Sequence, residues 1–457
     1  MSERVGRSLG RARSLTAGIE IMGSESRPRV PHIAIVGAGP SGLFAAQNLR
    51  RLVADAAIDV FDRLPVPFGL IRYGVAADHQ GVKAVTRQFE RLFEREGIRF
   101  FGNVHVGRDI TVEELTEFYD VALLAAGLAG DRRLGIEGES LPGVLRAGPL
   151  TRWLNSHPDE AVFCPQLGAR VVIIGNGNVA LDIARLLLKT PQELSGSDLH
   201  SDRIAYLLNE GVRDVEIVGR GGPGSARFDP AMLKQLASLG AIRISVDWPA
   251  QGQVTFEPED SRAAANIAAL QAIDGHGHET APCRLRFRFN LVTMAIEGTG
   301  HVTGVRFDAG GVLQRIPADS VVTAIGFAPD ENIPMHLPRG AGGAVESFRL
   351  PRVFTTGWFG RGPRGTIVEN RLDARAVTES IAAQIMRGEI LPGGRNGGEG
   401  ALALLAERQV RHVDYAGWLR IRDVEESART ADLVRQKISD LTSMMTLAAA
   451  SQLLDAE

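Results

Sequence analysis

Two glycine-rich turns of one design, 138 residues apart, constrain this chain more than any other feature. The first is Gly37-Ala38-Gly39-Pro40-Ser41-Gly42. It follows an apolar run, Ile33-Ala34-Ile35-Val36, that predicts a buried parallel strand, and it opens a helical pattern over 43–52. In such a turn Gly37 permits the sharp strand-to-helix reversal. Gly39 lets the backbone approach a pyrophosphate, and Gly42 lets helix and strand pack closely. The helix N-terminus offers unpaired N–H groups and a partial positive charge to the phosphates. The next strand, 58–61, ends in Asp62, 20 residues past Gly42, where a ribose hydroxyl needs an acceptor. An ordinary βα turn would explain the glycines but requires none of these neighbours.

The second turn is Gly175-Asn176-Gly177-Asn178-Val179-Ala180, after an apolar strand at 170–174 and before a helix at 181–188. Its following strand, 215–218, ends at Gly219-Arg220. An acid there would accept from the 2′-hydroxyl of NAD and repel a 2′-phosphate. A guanidinium offers fork-like donors to phosphate instead, which favours NADP and leaves NAD possible. Stacking on adenine, or a solvated surface role, are the other readings of Arg220. One dinucleotide turn serves one cofactor; two imply a flavin and a nicotinamide held by separate α/β, Rossmann-like domains.

At 457 residues the chain exceeds a single core. Its net charge of −3 argues for no strongly charged partner, and nucleic acid is not expected. No apolar run approaches the roughly 20 residues of a membrane span. The two cysteines, Cys164 and Cys283, form no CxxC, which excludes a local redox disulfide and a cysteine-ligated iron–sulfur cluster within the chain. No metal site is expected, and a reducing cytoplasm is the expected compartment. Residues 1–30 are arginine-rich and poor in apolar residues. A disordered tail or an upstream start before Met22 suits them better than a transit peptide, where Glu3, Glu20 and Glu25 are unwelcome.

Between the turns, 64–75 reads as an ordered loop, 82–96 as one amphipathic helix, and 99–101 and 104–106 as short strands. Thr111 before Glu113 and Glu114 predicts a helix cap. Buried strands are expected at 121–126 and 321–325. Alternation at 285–289 and 302–307 predicts antiparallel strands with one solvated face; no role is assigned to 257–282. The stretch 357–368 is glycine-rich and precedes a long helix to about 386. Such a helix N-terminus can aim its amides at the electron-rich side of a flavin ring.

With these motifs the chain resembles adrenodoxin reductase and its bacterial relatives, the FAD-containing ferredoxin–NADP reductases of that type. The segments carrying the resemblance are 35–43, 67–79 (Pro-Phe-Gly-Leu-Ile-Arg-Tyr-Gly-Val-Ala-Ala-Asp-His), 101–107, 175–185 and 357–367, and Gly357-Trp358 is particular to that subfamily. The resemblance implies an NAD(P) domain, 131–327, inserted into an FAD domain formed by 31–130 and 328–457, the last ending in a helical region. It implies that Gly37, Gly39, Pro40, Ser41 and Gly42 hold the FAD pyrophosphate and Asp62 its ribose. Leu70, Val106, Trp358, Gly365, Thr366 and Ile367 would line the flavin. Gly175, Asn176, Gly177, Asn178, Val179, Arg220 and Gly365 would meet NADP. His79 and Asp182 match a polar pair implicated in proton or water handling.

Two departures stand out. Relatives usually carry a second arginine where this chain has Gly221, and a glutamate where it has Met232. Losing one charged hydrogen bond to phosphate costs roughly 1.5–3 kcal/mol, about ten- to a hundredfold in affinity, so a weak preference for NADP over NAD is expected. The implied function is hydride transfer from NADPH to FAD, then single electrons to a ferredoxin. Arg361, Arg364, Arg371 and Arg375 are candidates for the docking rim or, equally, solvated helix residues, the reading preferred for Arg371 and Arg375. The alternatives are an NAD(P)H-oxidising subunit like the small subunit of glutamate synthase, or a non-catalytic flavin or nucleotide sensor.

Overall fold

The computed structural model describes residues 30–249, 261–328, 350–363 and 365–450; the leader expected at 1–30 lies, but for Val30, outside them. Strands β1 (His32–Val36), β2 (Ala57–Phe61), β3 (Arg99–Phe101) and β4 (Val121–Leu124) form a parallel sheet. In β1, Ile33, Ala34 and Ile35 are fully enclosed, as parallel strands with both faces covered must be. The Pro40–Leu52 helix packs along the Ile367–Met386 helix, so the first turn is braced by residues from near the other end of the chain.

The chain leaves this sheet through β5 (Gly130–Asp131). A second parallel sheet follows, from β6 (Val144–Arg146), β7 (Arg170–Ile174), β8 (Asp214–Val218), β9 (Ile242–Asp247) and β10 (Cys283–Arg288). Next come three antiparallel strands, β11 (Val292–Gly298), β12 (Val302–Asp308) and β13 (Leu313–Pro317). β14 (Ser320–Thr323) then inserts between β6 and β7, giving the order β6–β14–β7–β8–β10–β9. β15 (Phe327–Ala328) pairs antiparallel with β5, and β16 (Val353–Thr355) joins the first sheet beside β4. The second sheet is therefore built from sequence lying inside the first. The two crossings, β5 and β15, are hydrogen-bonded to each other. This is the doubly nucleotide-binding α/β architecture the motifs predict.

Several local expectations are corrected. β10 is not antiparallel: it lies parallel between β8 and β9. Its alternation arises because Leu285 and Phe287 face the helix-side core while Arg284 and Arg286 are exposed. The β11–β13 layer covers β7, β14 and the end of β8, leaving that face of β10 open. Residues 104–106 are not a strand. Asn103 takes φ +57°, and Val106 makes a single bridge to Ile110. The helix expected over 82–96 is two, Gln80–Lys83 and Thr86–Glu94; at the end of the first, the Lys83 side chain turns into a buried polar cluster. The strand at 121–126 stops at Leu124, and the unassigned 257–282 region carries the Ser261–Ile273 helix. Thr111 caps its helix as expected, in a reciprocal box with Glu114. No helix among the described residues is long and apolar enough to cross a membrane.

Candidate nucleotide sites

At the first turn the three glycines do three different things. Gly37 has φ +111°, and a Cβ there would sit 2.4 Å from the Ala125 carbonyl oxygen. A Cβ on Gly42 would sit 2.0 Å from the Gly37 carbonyl oxygen. These two glycines close the turn. Gly39 instead faces open space, its nearest neighbour the Gly69 Cα at 4.0 Å. No side chain caps the Pro40–Leu52 helix, so its first-turn amides are available to an anion. An open glycine face beneath uncapped amides fits the pyrophosphate of FAD.

Asp62 lies at the end of β2 and ties it to this turn. Its Oδ2 accepts from the Ala38 N–H and its Oδ1 from the Leu64 N–H, both at 2.9 Å. Burial pushes this carboxyl above its usual range, against the pull of the two amides. Each oxygen keeps a lone pair for a ribose hydroxyl. The 64–75 segment, expected as a loop, carries a short helix, Gly69–Tyr73, and folds back onto the turn: Phe68, at φ +83°, donates to the Ala38 carbonyl at 2.8 Å, and Gly69 presses against Gly39. Leu70 follows, half-buried, and Val106 is buried.

The 357–367 stretch reaches the same place. A Cβ on Gly357 would collide with Ser41 Oγ at 2.1 Å, so glycine permits this approach. Trp358 Nε1 donates to the Gly365 carbonyl at 3.2 Å, and its ring lies 5.2 Å from that of Phe327 in β15. Thr366 caps the Ile367–Met386 helix, with Glu369 completing the box. The Val368 and Glu369 amides are thereby occupied, a correction to the expected open helix terminus; Ile367 contributes the remaining first-turn donor.

The second turn repeats the arrangement. Gly175 has φ +118° and abuts the Ala324 carbonyl, whereas Gly177 has nothing within 4 Å of its Cβ position. The Asn178–Leu188 helix has no side-chain cap. Asn176 packs against Gly219, Val179 is half-buried, and Arg220 is exposed at the end of β8.

His79 and Asp182 are brought together, His79 Nδ1 lying 3.7 Å from Asp182 Oδ1. His79 Nε2 is 2.7 Å from Gln235 Oε1. Arg185 bridges Asp182, at 2.7 Å, and Asp78, through two 2.8 Å bonds. Lys189 adds a third contact to Asp78 at 2.7 Å. Burial raises the Asp78 carboxyl, but Arg185 and Lys189 outweigh it and hold it well below the usual range. At Asp182 burial prevails over Arg185 and His79, and the carboxyl is held above its usual range. Nothing in the sequence alone assigns a role to Asp78, Arg185 or Gln235. An arginine three residues after Asp182, on one helix face, was the available signal.

Residues 31–215 match the pyridine nucleotide-disulphide oxidoreductase family. Cindoxin reductase of Citrobacter braakii is 39% identical over 92% of this chain and 91% of that protein. NADPH-ferredoxin reductase FprA of Mycobacterium leprae is 35% identical over 87% and 94%, respectively. The mitochondrial NADPH:adrenodoxin oxidoreductase of Mus musculus is 31% identical over 92% of each. This chain belongs to the adrenodoxin reductase-type family of ferredoxin–NADP reductases. A solved structure of FprA from Mycobacterium tuberculosis superposes with a TM-score of 0.84, at 32% identity, over 92% of this chain and 100% of that one. A second, at TM-score 0.83, is of FprA in complex with NADPH.

Met232, where the resemblance implies a glutamate, is buried in the helix-side core and offers a ligand no acceptor. Of the candidate docking rim, Arg361 is the member the structure places differently. Arg361 turns inward to Asp373 at 2.9 Å and Asn370 at 2.7 Å. Arg375 pairs with Glu379 at 2.7 Å, and Arg371 is exposed, leaning over the Phe44 ring. Arg364 lies outside the described residues.

Proposed function

We propose that this protein is an FAD-dependent reductase that draws on NADPH and delivers single electrons to a ferredoxin. The observation carrying this is a pair of dinucleotide turns, each with an open central glycine and uncapped amides, in a chain of this reductase family. FAD, when bound, supplies the conversion between two-electron and one-electron transfer. The protein supplies position, exclusion of water and electrostatics.

In this reading 31–130 and 328–457 form the FAD domain and 131–327 the NAD(P) domain, which agrees with the paired crossings β5 and β15. Gly37, Gly39, Pro40, Ser41 and Gly42 hold the FAD pyrophosphate and Asp62 its ribose. Leu70, Val106, Trp358, Gly365, Thr366 and Ile367 wall the ring. Gly175, Asn176, Gly177, Asn178, Val179 and Arg220 hold NADPH. His79 and Asp182 hold or pass a proton beside the ring: the raised Asp182 carboxyl keeps a proton to higher pH than an ordinary aspartate. Two free cysteines far apart, Cys164 and Cys283, favour a cytoplasmic setting.

The purified protein should be yellow, and NADPH should drive cytochrome c reduction that rises on adding a ferredoxin. A nucleotide sensor would give no turnover with or without ferredoxin. The specificity constant should modestly favour NADPH over NADH, and R220A should bring the two constants close to equal. Equal constants in the parent remove Arg220 from the reading. An acidic ferredoxin docked electrostatically should be reduced more slowly as ionic strength rises; a rate indifferent to salt would refute that mode of docking.

A further inference from the structure

Arg227 lies in neither glycine turn, yet its backbone is bound to the second one. Its N–H donates to the Asn176 carbonyl at 3.2 Å, and Arg227 and Gly177 form an isolated parallel bridge. Two residues on, the Asp229 N–H donates to Asn178 Oδ1 at 2.7 Å. The neighbours Ala226 and Phe228 are buried, and Asn266 holds the Ala226 carbonyl at 2.8 Å. This anchoring leaves little choice for the residue between them: the Arg227 side chain is exposed beside the turn. Its guanidinium has no hydrogen bond or ion pair among the described residues.

The open Cβ side of Gly177 is where a pyrophosphate approaches this kind of turn. Arg220 stands elsewhere, at the end of β8, where the adenosine ribose is read. We infer that Arg227 binds the pyrophosphate of NADPH, the portion it shares with NADH, while Arg220 alone reads the 2′-phosphate. This rests on the function proposed above and refines it. With Gly221 in place of a second discriminating arginine, the charge at Arg227 restores affinity without restoring selectivity, because both nucleotides present the same group to it. The protein thus binds either nucleotide firmly and prefers NADPH only weakly.

The test is calorimetric titration of the FAD-loaded protein with NADP+ and NAD+ in the parent, R227A, R227K and R220A. R227A should weaken both nucleotides by the same factor, about ten- to a hundredfold, and leave their ratio unchanged. R227K should recover part of the loss for both. R220A should weaken NADP+ alone. Unchanged flavin absorbance and melting temperature in R227A would confine the effect to the nucleotide site. Loss of NADP+ binding alone in R227A, or no loss of either, overturns the inference while leaving the proposed function standing. A parent that binds neither nucleotide overturns both.

Discussion

Gly39 and Gly177 have ordinary backbone angles, φ −80° and −96°, and no neighbour closer than 4.0 Å to the position a methyl group would take. Alanine at either position is therefore compatible with folding, and the methyl enters only the space a phosphate needs. G39A should yield a folded but colourless protein, read by circular dichroism and flavin absorbance. G177A should stay yellow and lose about tenfold or more in NADP+ affinity by titration. Gly42 belongs to the other class. The methyl of G42A would meet the Gly37 carbonyl at 2.0 Å, and such overpacking costs about 1–3 kcal/mol. Its melting temperature should fall whether or not FAD is added. A colourless G42A with undiminished stability would contradict the division of labour among the three glycines.

At the scale of elements, the capping box at Thr366 sets where the Ile367–Met386 helix begins and fixes the loop that receives the Trp358 indole bond. T366A removes the side-chain half of that box, at a cost of about 1 kcal/mol. Denaturant unfolding should register that loss, and a shifted flavin spectrum should accompany it if Gly365 and Ile367 line the ring. Signals that act over a few residues were legible beforehand: both glycine turns, and the Thr111 cap with its Glu114 partner. The direction of β10 was not. Alternation reports that one face of a strand is open. It says nothing about whether the neighbouring strands run with it or against it, which depends on β8 and β9.

At the scale of the whole molecule, a buried polar cluster joins segments that sequence separates widely. Lys83 Nζ lies 2.8 Å from Asp198 Oδ1 and 2.8 Å from Asn155 Oδ1, and Lys437 Nζ lies 3.2 Å from Asp198 Oδ2. Beside them Arg72 pairs with Glu425, 353 residues away. Two lysine side chains thus share one carboxylate. Burial pushes Lys437 well below its ordinary value, only partly offset by Asp198. Burial raises Asp198, but Lys437 and Lys83 outweigh it and bring its carboxyl down to about 2. Because that value is depressed in the folded state, the stabilisation is complete above about 3.8, the unfolded value, and is lost as pH falls towards about 2. D198N removes the carboxylate that both buried lysines share and should cost about 3–5 kcal/mol at neutral pH. Its stability should also decline less than the parent's on acidification from pH 4 to pH 2. K437M removes the lysine whose charged form burial disfavours and should be neutral or stabilising in the same melts.

What the amino-acid sequence determined by itself was local: where two nucleotide turns stand, which glycine in each must be open, and which strand ends carry Asp62 and Arg220. Spacing along a strand–turn–helix unit fixes these, because the partners lie close together along the chain. Tertiary structure alone decided that Arg185 bridges Asp182 and Asp78, that Arg361 turns inward, that Arg227 stands beside Gly177, and that Lys83 and Lys437 share Asp198. Each of these depends on which side chain from a distant segment satisfies a charge or leaves it exposed, and no periodicity in the chain records that choice.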